Sequence, residues 1–211
     1  MIKRYELNQA GRDFVVGDIH GAFDKLSEKL EAIGFNELKD RLFSCGDLVD
    51  RNPGSVDALG WLAKPWFHPV RGNHDDYVCR YLTCDHENWI YNGGAWFFGL
   101  SSAEQREFFV QFNELPLVID VETSSGLVGI VHADPIVSDW GDLSAFMSNR
   151  NRQRLMWSRE RFESENTSTV TGIARVYCGH TPVHEPVTLG NVHHIDTAGW
   201  HSSGYFTVIQ L

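Results

Sequence analysis

Short apolar runs and helical patterns alternate in the first third of the chain. Three of the apolar runs predict strands, at residues 14–16, 42–45 and 67–70. Between the first two strands, apolar side chains recur with the spacing of one helix face, at Phe23, Leu26, Leu30 and Ile33. A shorter helix is predicted at residues 56–62, with Ser55 as its N-cap. This order indicates parallel strands joined by crossover helices.

The second half of the chain is richer in predicted strands. A helix at residues 103–112, capped by Ser101 or Ser102, comes first. Five apolar runs then predict strands, at residues 117–122, 127–131, 175–178, 192–195 and 205–209. The first two of these form a hairpin across residues 123–126. Residues 134–169 predict loop and helix, and residues 166–172 predict a turn. Since no repeat or linker interrupts the pattern, one domain spanning residues 1–211 is expected.

Composition narrows the possible functions. Hydrophobic residues make up 42% of the chain, enough for a full core. A formal net charge of −10 argues against a nucleic-acid binder that neutralises phosphates. No apolar run is long enough for a membrane span, and residues 1–12 lack the apolar core of a signal peptide. The four cysteines show neither disulfide nor zinc-finger spacing, with Cys45 and Cys178 expected in buried strands, so a cytoplasmic location is predicted.

Polar groups able to bind metal or move protons follow five of the apolar runs. They are Asp18 and His20, then Asp47, Asp50 and Arg51, then Asn73 and His74, then His132, then His180. A glycine precedes four of these five groups, which permits a sharp turn and a close approach of the backbone to a ligand. Because sites in open α/β sheets gather outside the carboxyl ends of strands, we expect these groups to lie together.

The candidate ligands combine nitrogen and oxygen donors without thiolate. Three are histidines (His20, His132, His180), two are carboxylates (Asp18, Asp47) and one is an amide (Asn73). Such mixed sets suit Mn, Fe, Zn, Co or Ni better than Ca or Mg. Six ligands are too many for one catalytic ion that keeps open positions. They suit two ions about 3.5–4 Å apart, the usual arrangement for phosphate-ester hydrolysis, if one carboxylate bridges.

The motifs around these residues resemble a known family. GDIHG at 17–21, GDLVDR at 46–51 and GNHD at 72–75 are similar to the three signature blocks of the calcineurin-like metallophosphoesterases. HAD at 132–134 and GHTP at 179–182 resemble its two downstream histidine blocks. WSRER at 157–161 and IDT at 195–197 narrow the resemblance to protein phosphatases of phage lambda type. The resemblance implies a four-layer αββα sandwich of two mixed β-sheets.

The resemblance also implies a role for each matching residue. Asp18 and His20 would hold the first of two divalent ions, with Mn²⁺ preferred, and Asp47 would bridge to the second. Asn73, His132 and His180 would complete the second site. His74 would be the general acid, oriented by Asp50, while Arg51 and Arg159 would bind phosphoryl oxygens. A hydroxide shared by the ions would attack phosphoserine or phosphothreonine monoesters of phosphoproteins or phosphopeptides directly, with phosphotyrosine as a further substrate.

Three positions depart from the family pattern. Asn52 stands where glycine is usual, and asparagine tolerates left-handed backbone, so the turn is expected to persist. Asp75 replaces a more usual glutamate. The late block has Ala198-Gly199 where the family has Gly-Ala. The last two departures bear on the substrate more than on catalysis.

Simpler interpretations apply to other residues. A lone aspartate or histidine after a strand is usually a turn or cap residue. For the candidate ligands, that explanation would have to hold at six positions at once. Most arginines of residues 150–161 are expected on a solvated helix face, with Arg159 alone assigned to the site. Trp89 and Trp96 are expected in the core or, less favoured, in a substrate groove wall. The remaining histidines are expected to have no site role, with His193 and His194 the first exceptions to consider.

Two other functions compete with a protein phosphatase. A dinucleoside tetraphosphate hydrolase shares the GDIHG, GDLV and GNHD blocks. Such hydrolases commonly lack an aspartate at the position of Asp50 and are longer than 211 residues, which favours the phosphatase. A non-catalytic scaffold of the same fold would generally have lost the acid histidine or metal ligands, yet His74 and all six ligands are present.

Overall fold

Two mixed β-sheets form the centre of the fold in the computed structural model, which describes residues 2–211. The strands, in chain order, are β1 (Ile2–Tyr5), β2 (Asp13–Val16), β3 (Arg41–Ser44), β4 (Phe67–Pro69), β5 (Val118–Thr123), β6 (Gly126–Val131), β7 (Arg175–Cys178), β8 (Val187–Leu189), β9 (Val192–His194) and β10 (Val208–Gln210). The smaller sheet has the order β10-β2-β3-β4, and the larger has the order β1-β5-β6-β7-β9-β8. Strands β2, β3 and β4 are parallel, as predicted.

Helices cover the outer faces of both sheets. They are α1 (Phe23–Ala32), α2 (Ala58–Leu62), α3 (Asn73–Cys79), α4 (His86–Trp89), α5 (Ala95–Phe98), α6 (Ser102–Asn113), α7 (Asn149–Trp157) and α8 (Glu160–Glu163). Short 3₁₀ helices at Pro53–Asp57 and Trp140–Asp142, and a π-helical segment at Ile90–Gly94, complete the helical structure. Within residues 2–211, no helix is long and apolar enough to cross a membrane.

The alternation of side chains along the strands builds the four layers. Phe14 and Val16 of β2 point away from the larger sheet and pack with Leu26 of α1. Val15, between them, points inward and packs with Ile119 and Ile130 of the larger sheet. On the far side, residues of β5, β6, β7 and β9 pack against α7 and the 3₁₀ helix at Trp140–Asp142. The implied αββα sandwich is therefore confirmed.

Local capping explains one helix and corrects the start of another. Ser101 caps α6, where its hydroxyl accepts from the Glu104 N–H and the Glu104 carboxylate accepts from the Ser101 N–H. The prediction that Ser55 is an N-cap was wrong. Ser55 lies inside the 3₁₀ helix and donates its hydroxyl to the Asn52 carbonyl, so α2 begins only at Ala58.

Three further expectations are corrected, two of them because of long-range strand pairing. The polar segment at Ile2–Tyr5, for which no strand was predicted, forms β1 because it pairs in parallel with β5. The last strand begins at Val208 rather than at residue 205 and pairs antiparallel with β2 in the smaller sheet. Asn52 has an extended backbone, with φ of −117°, so the left-handed turn expected there does not occur at this residue.

Candidate active site

The carboxyl ends of strands from both sheets meet at one small cleft. The cleft has a volume of ≈ 30 Å³. Its lining consists of Asp18, His20, Asp47, Arg51, Asn73, His74, Arg159, His180, Pro182, Asp196 and Trp200. Eight of the ten residues predicted from sequence are in this lining, and Asp50 and His132 lie directly behind it, bonded to His74 and Asn73.

Two separate surface grooves have volumes of ≈ 300 Å³ each, so this cleft is much smaller than either. A space of ≈ 30 Å³ lined by charged and polar side chains admits a small polar group.

Asp47 lies at the centre of the predicted ligands. Its Oδ2 is 3.5 Å from Nε2 of His20, and its Oδ1 is 3.4 Å from Nε2 of His132. Two groups of potential ligand atoms share this carboxylate, one with His20 and His74 and the other with His132 and His180. Because each oxygen faces a different group, the geometry suits a carboxylate that bridges two cations.

Hydrogen bonds to backbone carbonyls fix the tautomers of the three predicted histidine ligands. Nδ1 of His20 is 2.7 Å from the Val49 carbonyl, and Nδ1 of His132 is 2.7 Å from the Cys45 carbonyl. Nε2 of His180 lies 3.3 Å from the Trp157 carbonyl. A carbonyl only accepts, so these nitrogens carry the protons and the opposite nitrogen of each ring keeps a lone pair toward the cleft.

Several acceptors converge around Asn73. Its Oδ1 is 2.8 Å from Nε2 of His132 and 2.9 Å from Nδ1 of His180. In these tautomers, neither of the two ring nitrogens next to Asn73 carries a proton. Their lone pairs and those of the amide oxygen therefore face one another in a buried site. A cation between them would satisfy all three atoms, and the donor set therefore fits a metal ion.

The four histidines of the site differ in the direction of their pKa shifts. Burial lowers the pKa of His20, His132 and His180, in the last case to about 3, which keeps these rings neutral as metal ligands require. His74 differs. Burial alone would lower its pKa too, but the charge of Asp47 and the hydrogen bond to Asp50 raise it above the usual value.

The location of His74 permits two interpretations. Its ring is close enough to His20 and Asp47 to be a ligand. However, its Nδ1 is bonded to Asp50 at 2.6 Å, and its Nε2 is 3.4 Å from the Arg51 guanidinium. A neighbouring cation and a raised pKa both disfavour metal binding and favour a proton-carrying role.

Two tryptophans hold Asp50 in place, a role that the sequence did not reveal. Nε1 of Trp96 donates to Oδ1 of Asp50 at 2.7 Å, and Nε1 of Trp89 donates to Oδ2 at 2.9 Å. Asp50 is fully buried and also accepts from His74. Trp89 is fully buried, as expected for a core residue. The expectation of a core role was incomplete, because it did not include the hydrogen bonds of both indoles to Asp50.

Asp196 is a further cleft residue that sequence analysis did not assign. It is 1% exposed, lies beside Asp18, and its Oδ2 has no hydrogen-bond partner within residues 2–211. Burial raises the pKa of Asp196 to about 6, and burial together with the charge of Asp196 raises that of Asp18 well above its usual range. A signal was present, because Asp196 comes directly after the predicted strand at residues 192–195, just as the other site residues follow theirs.

Backbone strain is concentrated at the same place. His20, Asp47, Asp50, Arg51 and His180 all have positive φ, between 46° and 73°. Left-handed backbone is unfavourable for such residues and persists where surrounding structure enforces it. Gly179 allows a close approach, since a Cβ there would collide with Asp18.

The other candidates lie outside the cleft. His194 is buried against the Phe162 ring, and His193 stacks on Tyr177, so neither joins the site. The expectation of a solvated helix face fails for Arg161, which is buried and donates to the Asn166 and Ser168 carbonyls.

Comparison with known proteins identifies the family. The model of the calcineurin-like phosphoesterases matches residues 14–198, which include every predicted site residue. The chain belongs to the calcineurin-like phosphoesterase family. Members of this family use divalent metals, in agreement with the His and Asp groups of the cleft.

Curated relatives of this phosphoesterase carry two kinds of name. Serine/threonine-protein phosphatase 1 of Salmonella typhimurium is 32% identical over 99% of this chain and 96% of its own length. Serine/threonine-protein phosphatase 2 of Escherichia coli is 32% identical over 94% of this chain and 92% of its own length. A symmetrical bis(5'-nucleosyl)-tetraphosphatase of Serratia proteamaculans is 42% identical, but over 29% of this chain and 23% of its own length.

Solved structures support the fold. A crystal structure of a candidate diadenosine tetraphosphatase superposes with a TM-score of 0.68 at 16% identity, covering 99% of this chain and 97% of the other. A serine/threonine phosphatase from Saccharomyces cerevisiae superposes with a TM-score of 0.61 at 17% identity, covering 92% and 70%. At these identities the likeness concerns the fold alone.

Proposed function

We propose that this phosphoesterase is a metal-dependent protein phosphatase that hydrolyses phosphoserine and phosphothreonine monoesters, with phosphotyrosine as a further substrate. The observation that carries the proposal is the His74–Asp50 pair beside Asp47, in a cleft that admits a phosphoryl group. The relatives named serine/threonine phosphatases match nearly the whole chain, which also supports it.

The proposed cofactor is a pair of divalent transition-metal ions, with Mn²⁺ preferred and Fe, Zn, Co or Ni as alternatives. Asp18 and His20 would hold one ion, and Asn73, His132 and His180 the other, with Asp47 shared between them. When bound, such ions supply positive charge for the phosphoryl group and lower the pKa of a water molecule. The unpartnered oxygen of Asp196 and its closeness to Asp18 support a strongly positive occupant.

The side chains of the chain then divide the remaining work. Arg51 and Arg159 are exposed at the cleft and offer planar donors to phosphoryl oxygens. His74 donates a proton to the leaving oxygen, and Asp50 holds the ring in the orientation that this transfer needs. Trp89 and Trp96 hold the Asp50 carboxylate in place by donating hydrogen bonds to it.

A substrate panel tests the proposal. We expect the purified protein with added Mn²⁺ to hydrolyse nitrophenyl phosphate and phosphoserine or phosphothreonine peptides, and to lose activity when chelated. Diadenosine tetraphosphate should be clearly poorer by kcat/KM. A preference of about tenfold or more for diadenosine tetraphosphate over every phosphopeptide, a difference of about 1.4 kcal/mol, would replace the protein phosphatase by the nucleotide hydrolase.

The nucleotide hydrolase is the second candidate because of its local similarity to named tetraphosphatases. A non-catalytic scaffold is disfavoured, since the predicted ligands and His74 converge in one cleft. We further propose that residues 1–211 form one catalytic domain that acts in the cytoplasm without nucleic-acid or membrane partners. All four cysteines are free, in agreement with that location.

A further inference from the structure

Arg51 is held by an aromatic ring rather than by a carboxylate. Its guanidinium carbon lies 4.3 Å from the centroid of the Trp200 ring. Its one hydrogen-bond contact within residues 2–211 is the 3.4 Å approach of Nη2 to His74, and no salt bridge to it is found there. The same indole lies nearly perpendicular to the ring of His20, with 5.1 Å between the centroids. Trp200 therefore lies between a predicted metal ligand and a predicted phosphoryl contact.

The backbone around Trp200 is fixed by contacts from other parts of the chain. The Asn52 side chain donates to the Trp200 carbonyl at 3.1 Å and to the His20 carbonyl at 2.9 Å. Lys25 donates to the carbonyls on both sides, those of Gly199 at 2.6 Å and His201 at 3.0 Å. The indole consequently has a defined position next to the cleft.

Two departures from the family pattern lie near Trp200, one in space and one beside it in the chain. Asn52, which replaces a glycine, makes the bridge to Trp200. In the reversed Ala198-Gly199 pair, Ala198 takes a left-handed backbone, with φ of 51°. A Cβ on Gly199 would collide with the Phe206 ring, so the reversed order is the one that fits this packing. Neither departure is used by the proposed chemistry, and the bridge from Asn52 fixes the backbone that carries Trp200.

We propose that Trp200 is a positioning residue that stacks on Arg51 and holds its guanidinium in place to contact the phosphoryl group. An exposed arginine loses rotamer freedom when it binds an anion, and a ring that already orients it reduces that loss. The face of the indole also leaves the edge donors of the guanidinium free for oxygen. This inference rests on the proposed phosphoryl role of Arg51.

A double-mutant cycle tests the stack on the metal-replete enzyme. Trp200→Leu should raise KM for nitrophenyl phosphate and the Kd of inorganic phosphate by about five- to tenfold, in line with a partly desolvated cation–π contact. The value of kcat should stay within about threefold, because the stack acts on binding. On the Arg51→Ala background the same substitution should change KM by less than about twofold.

Two matched variants distinguish a positioning role of the Trp200 ring from a general loss of structure in its loop. The buried indole Nε1 has no hydrogen-bond partner within residues 2–211, so Trp200→Phe removes no hydrogen bond and should restore KM to within about twofold of wild type. Tyr205→Leu removes an exposed ring from the same loop without contact to Arg51 and should leave KM and phosphate binding unchanged. Metal content is measured for every variant, and Trp200→Met replaces Trp200→Leu if the latter loses metal or folded structure.

The outcomes are distinguishable. Equal effects of Trp200→Leu with and without Arg51 would show that the ring acts independently of the arginine and would overturn the inference. If Arg51→Ala strongly weakens phosphate binding while Trp200→Leu changes neither KM nor phosphate affinity, the inference is overturned and the proposed function stands. An Arg51→Ala variant with wild-type KM and phosphate affinity would remove Arg51 from phosphoryl binding, and the inference with it.

Discussion

The two sides of the cleft are built differently. We call His74, Asp50, Trp89 and Trp96 the acid side, and Arg51, Arg159 and Trp200 the arginine side. On the acid side, buried hydrogen bonds of 2.6 to 2.9 Å run from the imidazole through Asp50 to both indoles. On the arginine side, both guanidiniums are exposed, and within residues 2–211 neither has a carboxylate partner.

The difference follows from what each side is proposed to do. Proton transfer needs a donor held at one distance and orientation, which buried and saturated hydrogen bonds provide. Anion binding needs donors that remain free until the anion arrives, because a resident carboxylate would compete with it. Substitutions on the acid side should therefore change kcat, and substitutions on the arginine side should change mainly KM.

The largest effect is expected at Asp47, which both sides depend on. Asp47→Asn should weaken both proposed metal sites and lower kcat by about 10³-fold or more, since metal ions contribute several kcal/mol to catalysis. Elemental analysis should show less than the two equivalents expected for wild type. Wild-type activity in this variant, or in verified metal-free protein, would contradict the dinuclear proposal.

The next largest effect should come from the acid side. His74→Asn should lower kcat for phosphopeptides by about 10²–10³ with metal content near wild type. The loss should shrink for nitrophenyl phosphate, whose leaving group needs less protonation. Asp50→Asn should give a milder version of the same pattern. Equal losses for good and poor leaving groups would remove His74 from the acid role.

A smaller effect is expected on the arginine side. Arg159→Ala should cost about 1.5–3 kcal/mol in kcat/KM, mostly through KM, because it removes one charge-assisted contact. Steady-state kinetics with a phosphopeptide measures the split between KM and kcat. Arg150→Ala, at an exposed position of α7, is the matched control and should behave as wild type. If Arg159→Ala lowered kcat without changing KM, the proposed difference between the two sides of the cleft would be contradicted.

The smallest effect on the acid side should come from an indole. Trp96→Phe removes one of the donors to Asp50 and should lower kcat for phosphopeptides by about tenfold, the lower end for a hydrogen bond to a charged group. KM and metal content should remain near wild type, and nitrophenyl phosphate should be less affected. A change in KM alone would place Trp96 in substrate binding instead of with Asp50.

Much of the fold was predictable because its signals are local. The runs that form β2, β3 and β4 are short and mostly apolar, and nearly all their residues are buried, as is typical of central parallel strands. The hairpin of β5 and β6 and the Ser101 cap of α6 also depend on neighbouring residues only. By contrast, β1 is half exposed and polar, and only its pairing with β5 makes it a strand.

For the site, the sequence by itself determined the chemical types and their order along the chain. Polar groups after apolar runs predicted where Asp18, Asp47, Asn73, His132 and His180 would meet, because strand ends share one edge of a sheet. The motifs then allowed roles to be expected, and those roles stay predictions.

Only the tertiary structure decided which groups support these residues. Trp89 and Trp96 bond to Asp50 from 39 and 46 positions away, and Trp200 stacks on an arginine almost 150 positions before it. A tryptophan in an apolar stretch carries no sign of the polar atom that its N–H will meet. Contacts of this kind depend on how distant loops pack together, and that packing is set by the whole fold rather than by any local pattern.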